Sequence, residues 1–397
     1  MTTWPRWATW IVWLLVFVAI DTDVVLHPLK HTTMPTYRTA ATNWWQGVDL
    51  YTRDSHAGFL YFPQAAVIFT PFNVLPFLAG EILWRAACFG LFAYALVRLH
   101  RFFVRTQVAP EKTFFYLSLL AIPSAFASLR NAQFDLPLAA LIVLAAAEVA
   151  EVRWAAAAAW LCFGLALKPL AVVPVLLFGA CHTLCSGNGE GWPQKNTKGR
   201  LLGWMAVGLL VVLVIPFLHW SPAYVARQYV ACYHTLVWAS AGDEPKYSEL
   251  AALFSKMGYD MPQVLRTVLR LIFALVYLGL GVMAVRRLAR AEAAWTIGAL
   301  SADYLMLFNP RTETCSYVFL GPFVASLALV YAAQPTTRWV GRALMFGAVC
   351  LACDAFPNIG HILNVHLLTD RWLKPLVALL FLPVVVAFVL RGKRGDG

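Results

Sequence analysis

Short polar segments divide the chain into a series of apolar runs, and these runs constrain its fold more than any other feature. Apolar residues make up 60% of the 397 residues, charged residues make up 13%, and the mean hydropathy is +0.67. This composition is typical of a protein folded in a bilayer rather than of a soluble domain. Because lipid offers no hydrogen-bond partners to the backbone, each apolar run of about 20 residues is expected to be an α-helix. We therefore predict an all-α polytopic membrane protein.

The apolar windows predict about twelve transmembrane helices in one integral membrane domain over residues 1–397. The windows are Trp7–Ile20, Ala79–Val97, Thr113–Leu129, Phe134–Ala150, Trp154–Leu167, Leu170–Cys181, Leu201–His219, Val264–Val285, Ala293–Phe308, Tyr317–Ala333, Val340–Phe356 and Leu376–Leu390. No small-residue cleavage site follows the first window, so we expect a retained span rather than a signal peptide. The apolar stretch 59–77 contains Pro63, Pro71 and Pro76, which favours an interfacial or re-entrant segment over a span.

Basic residues cluster in the short connections on one predicted side of the membrane. They include Arg98, Arg101, Arg105, Lys112, Arg286, Arg287, Arg290 and the tail residues Arg391, Lys393 and Arg394. The positive-inside rule places these connections and both termini in the cytoplasm, so the net charge of +11 indicates topology and not a nucleic-acid partner. Two long loops then lie outside, residues 21–78, with interfacial helices, and residues 220–263. We expect a multi-pass protein of the inner membrane with its active site on the periplasmic face.

The first outer loop opens with acidic and basic side chains in the sequence DTDVVLHPLKH, which contains Asp21, Asp23 and His31. A carboxylate or imidazole at this place can take the proton of a hydroxyl nucleophile. The alternative is that acids leaving a span seek water at the interface. The spacing alone does not decide between these interpretations.

Three cations lie beside apolar helices where an anion would stabilise them. Arg130 begins the turn RNAQFD, Lys168 lies in GLALKPL, and Arg311 lies in LFNPRTETCSY. Each is suited to a phosphate or sugar ligand. The alternatives are helix capping or snorkelling for Arg130 and Lys168, and pairing with Glu313 for Arg311.

Several common enzyme classes lack their motifs in this chain. There is no P-loop, GxGxxG, GxSxG or HExxH pattern, and the eight cysteines show no paired metal-ligand spacing. We therefore predict neither a metal site nor a cofactor. Nucleotide hydrolysis, dinucleotide binding, serine esterase chemistry and zinc protease chemistry have no support.

Six segments taken together resemble glycosyltransferase family 87. They are YRTAATNWWQGVDLY, GFLYFPQAAVIFTPFNVLP, EILWR, RNAQFDLPLAALIVLAAA, GLALKPLAVVPVLL and LFNPRTETCSYVFLGP, which cover most of residues 37–322. The resemblance implies a GT-C fold with an outward-facing cavity, a polyprenyl-phosphate sugar donor, commonly of mannose, and a lipid or glycan acceptor. Membrane lipids are the expected surroundings.

The resemblance also implies roles for particular residues. Substrate contacts are expected from Tyr37, Tyr61, Asn131, Gln133, Asn309 and Glu313, and donor-phosphate contacts from Lys168, Arg130 and Arg311. Family members usually place a catalytic Asp a few residues before the position of Tyr37, whereas here HTTMPTY contains no acid. Asp23, favoured, or Asp21 or His31 is then the expected base, unless transfer activity has been lost.

These observations predict an inverting membrane glycosyltransferase, in which a deprotonated acceptor hydroxyl displaces the lipid phosphate in a single step. A lipid or solute transporter is an alternative, with Arg85, Lys168 and Asp303 along its path. A catalytically inactive membrane scaffold related to such enzymes is another.

Overall fold

The computed structural model describes residues 6–30, 32–51, 58–108, 112–185, 199–240, 247–352 and 372–392. Within these ranges all regular structure is helical, which confirms the all-α prediction. The α-helices are α1 (Arg6–Leu26), α2 (Met34–Gln46), α3 (Pro63–Asn73), α4 (Phe77–Leu99), α5 (Thr113–Arg130), α6 (Asp135–Ala150), α7 (Trp154–Leu167), α8 (Val172–Leu184), α9 (Arg200–Val214), α10 (Pro222–Ser240), α11 (Leu250–Lys256), α12 (Gln263–Arg287), α13 (Arg290–Phe308), α14 (Gly321–Ala333), α15 (Arg338–Leu351) and α16 (Leu373–Arg391). A π-helical turn, His100–Val104, and the residues Arg105–Gln107 extend α4.

Each of the twelve predicted windows coincides with a helix, as far as the described residues reach. In this part of the chain, six helices are long and apolar enough to cross a membrane: Trp7–Leu26, Phe77–Gln107, Thr113–Arg130, Arg200–Leu218, Gln263–Arg287 and Leu373–Arg391. Others are shorter, and α7, with 14 residues, is only about 21 Å long against a hydrocarbon core of about 30 Å. Such short helices suit the interior of a bundle, where other helices shield their ends from lipid.

Helix α6 forms the centre of the bundle. Its sequence DLPLAALIVLAAAEVA is apolar on every side, and all its residues from Asp135 to Val149 are buried. It packs against α4, α7 and α13. Its C-terminal end meets a charged cluster in which Arg98 lies 2.7 Å from Glu148 and 2.9 Å from Glu151. Asp135 lies at the opposite end, about 24 Å away by helical rise, so α6 separates two polar regions.

The segment predicted as the first outer loop begins later than predicted and contains two helices. Helix α1 continues to Leu26, so Asp21 and Asp23 lie on its last turns rather than in a loop. Helix α3 has only 11 residues, in agreement with the prediction that the stretch 59–77 is not a span. Arg38 of α2 holds the end of α3 by donating to the carbonyls of Phe72 (3.0 Å) and neighbouring residues. Helices α2 and α3 therefore form one packed unit.

Residues 220–263, predicted as a second long outer loop, are largely helical where the structure describes them. Helix α10 buries side chains at helical spacing, including Tyr224, Gln228 and Cys232. Its Tyr224 hydroxyl donates to the carbonyl of Val48 at 2.6 Å, and the Gln228 side chain accepts from the Leu50 amide at 3.0 Å. These contacts fix α10 against the chain that follows α2 and close one side of the cavity described next.

Candidate active site

A cavity of about 260 Å³ lies at the end of the bundle that carries the N-terminus of α6. It brings together residues that are far apart in the sequence. Its lining includes the predicted site residues Tyr37, Tyr61, Gln133, Lys168, Asn309, Arg311 and Glu313, together with Thr33, Thr36, Leu170, Leu236, Ala239 and Tyr247. The structure thus gathers most of the predicted substrate residues into one place.

The turn between α5 and α6, which carries Gln133, is held by a buried ion pair on α4. Arg85 pairs with Glu81, and both side chains are fully buried. The Arg85 guanidinium also donates to the carbonyls of Leu129 (3.0 Å) and Arg130 (2.7 Å) at the end of α5. A planar guanidinium with five donors is suited to bind several acceptors at once. Arg85, which the sequence analysis placed along the path of a possible transporter, therefore holds this turn in place.

Further contacts fix the turn at its next residues. Thr33 donates its hydroxyl and its amide to the Asn131 carbonyl, at 2.8 and 2.9 Å. The Trp84 indole donates to the carbonyl of Ala132 at 2.9 Å, and Ala132 itself has a φ of 57°. This left-handed conformation is costly for a residue with a Cβ atom, so the surrounding bonds must enforce it. They aim the following side chain, Gln133, at the cavity.

Gln133 orients the carboxylate of Glu313 across the cavity wall. Its amide nitrogen donates to Glu313 Oε2 at 2.7 Å, and its amide oxygen lies 2.8 Å from the Cys315 thiol. The thiol is also 3.3 Å from Glu313 Oε2. Burial raises the pKa of the Cys315 thiol well above its usual value, so the thiol keeps its proton and acts as a donor. The Gln133 amide therefore holds one oxygen of Glu313, and the Cys315 thiol in turn holds the Gln133 amide through its shorter contact.

Lys168 forms an ion pair with Asp135, the first residue of α6. Asp135 is completely buried, and the side chain of Lys168 is 19% exposed. The second oxygen of Asp135 accepts from the Ser316 hydroxyl at 2.7 Å, and the Lys168 ammonium lies 6.0 Å from the centre of the Tyr61 ring. Lys168 thus already has an anionic partner, and the pair joins α6 to the break between α7 and α8.

Arg311 presents a cation to the cavity without a carboxylate partner among the described residues. Its Nε donates to the carbonyl of Ala239 at 2.9 Å, and its guanidinium lies 5.1 Å from the ring of Trp238 and 5.6 Å from that of Tyr247. Aromatic faces hold a guanidinium in place without neutralising it. Within the described residues, the four N–H groups of its two terminal nitrogens form no hydrogen bond.

Two tyrosines build the opposite wall. The hydroxyls of Tyr37 and Tyr61 lie 3.1 Å apart, and the Tyr51 hydroxyl donates to the carbonyl of Tyr61 at 2.8 Å. Burial raises the pKa of Tyr37 and of Tyr61 above the usual value, so both phenols stay protonated. Asn309, which is 9% exposed, has no partner in the described residues for its amide nitrogen. This wall therefore carries neutral hydroxyl and amide groups.

Other predicted site residues lie away from the cavity lining. Asp23 pairs with Arg130 at 2.8 Å and with His27 at 3.2 Å. Asp21 is 8% exposed, and neither of its oxygens has a hydrogen-bond partner in the described residues. Asn131 contributes its backbone carbonyl to Thr33. His31 lies outside the described residues. Asp23, Asp21, Arg130 and Asn131 are absent from the described lining.

Some residues of the site have partners that reasoning from the sequence missed. Asp135 is absent from the residues to which the sequence analysis gives a role, and its carboxylate bonds Lys168 and Ser316. Cys315 was given no role of its own in the sequence analysis, whereas its thiol contacts the Gln133 amide oxygen at 2.8 Å. The available signal for Asp135 was its position: it begins one apolar helix on the predicted outer side, and the isolated Lys168 ends the next helix on that side. For Cys315 the sequence gives no comparable signal.

Comparisons with known proteins agree with the motifs. The model of glycosyltransferase family 87 matches residues 59–310. No curated protein matches the chain. Among solved structures, ArnT from Cupriavidus metallidurans bound to undecaprenyl phosphate is similar at 15% identity and a TM-score of 0.47, over 95% of this chain and 76% of that chain. At that identity and TM-score, the likeness supports no inference about chemistry. The family match spans well over half of the 397 residues, and on this ground the chain belongs to glycosyltransferase family 87.

Proposed function

We propose that the chain transfers a sugar from a polyprenyl-phosphate donor to a hydroxyl of a lipid or glycan acceptor. The observation that carries the proposal is the cavity itself, which places the Arg311 cation, the Glu313 carboxylate and a wall of neutral donors around about 260 Å³. Ligand sites commonly measure about 300–1,000 Å³. The space therefore suits one sugar with its phosphate, while the lipid chain and most of the acceptor remain outside. A mannose or a related hexose or pentose fits this size.

The donor phosphate is proposed to lie against Arg311. Of the three cations considered, Lys168 is paired with Asp135 and Arg130 with Asp23. Arg311 contacts only a carbonyl and two aromatic rings in the described residues. A guanidinium binds phosphate oxygens through two parallel hydrogen bonds. It also opposes the negative charge that grows on the phosphate as the sugar departs, where electrostatic stabilisation has its largest effect.

The apolar part of the lining supports a lipid-linked donor. Leu170, Leu236 and Ala239 face the cavity. On α10, Tyr233 is 65% exposed and Trp238 is 50% exposed. Exposed aromatic side chains of this kind are typical of a membrane interface. A lipid whose phosphate reaches Arg311 can therefore leave its chain in the bilayer beside α10.

The proposed reaction is a single displacement at the anomeric carbon, which inverts its configuration. We place it on the periplasmic face of the inner membrane, since the cavity lies at the opposite end of α6 from the basic cluster around Arg98 and the positive-inside rule assigns that cluster to the cytoplasm. The scheme uses no metal and no cofactor.

The test uses purified protein in lipid nanodiscs, a radiolabelled polyprenyl-phosphate mannose, and a panel of lipid and glycan acceptors. Wild-type protein is expected to form a labelled product and to release polyprenyl phosphate. Arg311→Lys is expected to lower the transfer rate by at least about tenfold, since Lys keeps the charge but loses the paired hydrogen bonds. Arg130→Lys is the matched control and is expected to retain the rate.

A folded wild-type protein that transfers no label to any acceptor, with mannose or with glucose, galactose and arabinose donors, would refute the proposal. If Arg311→Lys and Arg130→Lys behave alike while the wild type is active, the function stands and the phosphate position is wrong.

A further inference from the structure

We propose that Glu313 is the general base that takes the proton of the acceptor hydroxyl. The inference rests on the proposed function and concerns a step for which the first outer loop supplies no acid near Tyr37. Among the described residues that line the cavity, Glu313 is the one that carries a carboxylate. It is also solvent-exposed, so an acceptor arriving from the water side can reach it.

The hydrogen bonds of Glu313 leave one of its oxygens available. Gln133 donates to Oε2 at 2.7 Å, and Cys315 lies 3.3 Å from the same atom. Within the described part of the chain, Oε1 forms no hydrogen bond. A general base needs this combination, because one oxygen must be held in orientation while the other meets the hydroxyl proton.

The backbone around Glu313 is fixed on both sides. The carbonyl of Thr312 accepts from the Ser248 amide at 2.7 Å, and the carbonyl of Thr314 accepts from Lys374 of α16 at 2.8 Å. The amide of Ser316 donates to the carbonyl of Glu313 at 3.0 Å and begins a 3₁₀-helix. A base on so restrained a turn keeps its position during the reaction, which favours catalysis.

The other carboxylates near this end of the bundle are bonded to other residues or lie outside the cavity lining. Asp135 is completely buried and bonds Lys168 and Ser316, so neither of its oxygens is left for a substrate. Asp23 bonds Arg130 and His27 outside the cavity lining. Asp21 is buried on α1 and does not line the cavity. Of these acids, Glu313 has both a fixed orientation and access to the cavity.

The chemical step is balanced without a further reactant. Glu313 Oε1 takes the proton from the acceptor hydroxyl as the acceptor oxygen forms a bond to the anomeric carbon. The bond from that carbon to the phosphate oxygen breaks, and its electron pair leaves with the polyprenyl phosphate. The phosphate thereby gains one negative charge, which faces Arg311, while Glu313 becomes neutral and later returns its proton to water.

The test compares Glu313→Gln with Asp23→Asn, two substitutions that replace a carboxylate by an amide of the same shape. Loss of a general base lowers rates by about 10²–10⁴-fold, and we expect such a loss for Glu313→Gln. Asp23→Asn is expected to stay within about threefold of the wild type, a difference of roughly 0.7 kcal/mol in the barrier. Binding of polyprenyl phosphate, measured directly, is expected to be unchanged in both.

Azide separates a base from a merely structural residue. Because azide is already an anion, it attacks the anomeric carbon without losing a proton. Glu313→Gln is therefore expected to form glycosyl azide from the donor when azide is added, at a rate well above its rate with the hydroxyl acceptor. If the Gln variant does not fold, Glu313→Asp serves instead, with a rate expected to be about 10²-fold lower because the carboxylate is displaced by more than 1 Å.

The outcomes distinguish the inference from the function on which it rests. If the wild type is active and Glu313→Gln keeps about one-third of its rate or more, Glu313 is not the base. This limit is the same threefold margin that applies to Asp23→Asn. Loss of activity together with loss of polyprenyl-phosphate binding, or without azide rescue, would assign it a structural role. A folded wild type that transfers no sugar overturns both proposals.

Discussion

The ion pair between Lys168 and Asp135 allows a quantitative test of the site, because its two partners differ in access to water. The Asp135 side chain is 0% exposed and that of Lys168 is 19% exposed. Lys168→Met leaves the Asp135 carboxylate with the Ser316 hydroxyl as its remaining hydrogen-bond donor in the described residues. Removing one partner of a buried pair costs about 3–5 kcal/mol, and we expect this cost for Lys168→Met. Asp135→Asn is expected to cost less, about 2–3 kcal/mol, since Lys168 still reaches water.

The double variant Lys168→Met/Asp135→Asn contains neither buried charge and is expected to be more stable than the sum of the single effects predicts. The coupling free energy of this cycle should reach at least about 2 kcal/mol. Reversible unfolding in mixed micelles provides the measurement. Arg130 and Asp23 form a matched control pair, because their side chains are 28% and 38% exposed and such pairs couple by about 0.2–1 kcal/mol. Equal coupling in the two cycles would refute the assignment of Lys168 to a structural pair.

Two further predictions concern the same region. Burial and the neighbouring Glu313 raise the pKa of Cys315, so little of the reactive thiolate forms at pH 8. Alkylation of Cys315 at pH 8 should therefore be slow in the folded protein and fast after denaturation. Peptide mass spectrometry measures both rates. Rapid labelling of the folded protein would contradict this burial. Ala132→Gly relieves the left-handed backbone conformation and is expected to stabilise the protein by about 0.5–1 kcal/mol or to be neutral, as thermal unfolding can measure. A clear loss of stability would show that the conformation is not strained.

The positions of the helices can be predicted from the local sequence, but the residues at which the helices end cannot. Apolar windows locate the membrane helices because a bilayer leaves the backbone no other structure. The end of α1 was placed at Ile20, yet the helix continues to Leu26, where Asp23 meets Arg130, 107 residues later in the sequence. The segment 220–263 was predicted as a loop because its polar residues obscured the helical spacing of Tyr224, Gln228 and Cys232.

Several residues that line the candidate site could be predicted, whereas the predicted bases Asp21 and Asp23 lie outside the lining and the pairing of the charges could not be predicted. The family resemblance pointed to residues such as Gln133, Lys168 and Glu313, and all three line one cavity. Which cation meets which anion depends on how helices pack, and the Gln133–Glu313 bond joins residues 180 positions apart. The prediction that Lys168 binds phosphate treated its charge as unpaired, whereas Lys168 forms an ion pair with Asp135. The base was sought near Tyr37 because the family places it there.

The position of the donor phosphate tests the account most directly. We propose a cryo-electron microscopy map of the chain in nanodiscs with bound polyprenyl phosphate. The account predicts phosphate density within about 3 Å of the terminal nitrogens of Arg311, with the Lys168–Asp135 pair intact. Phosphate held by Lys168 with Asp135 displaced, or phosphate outside the cavity, would contradict it.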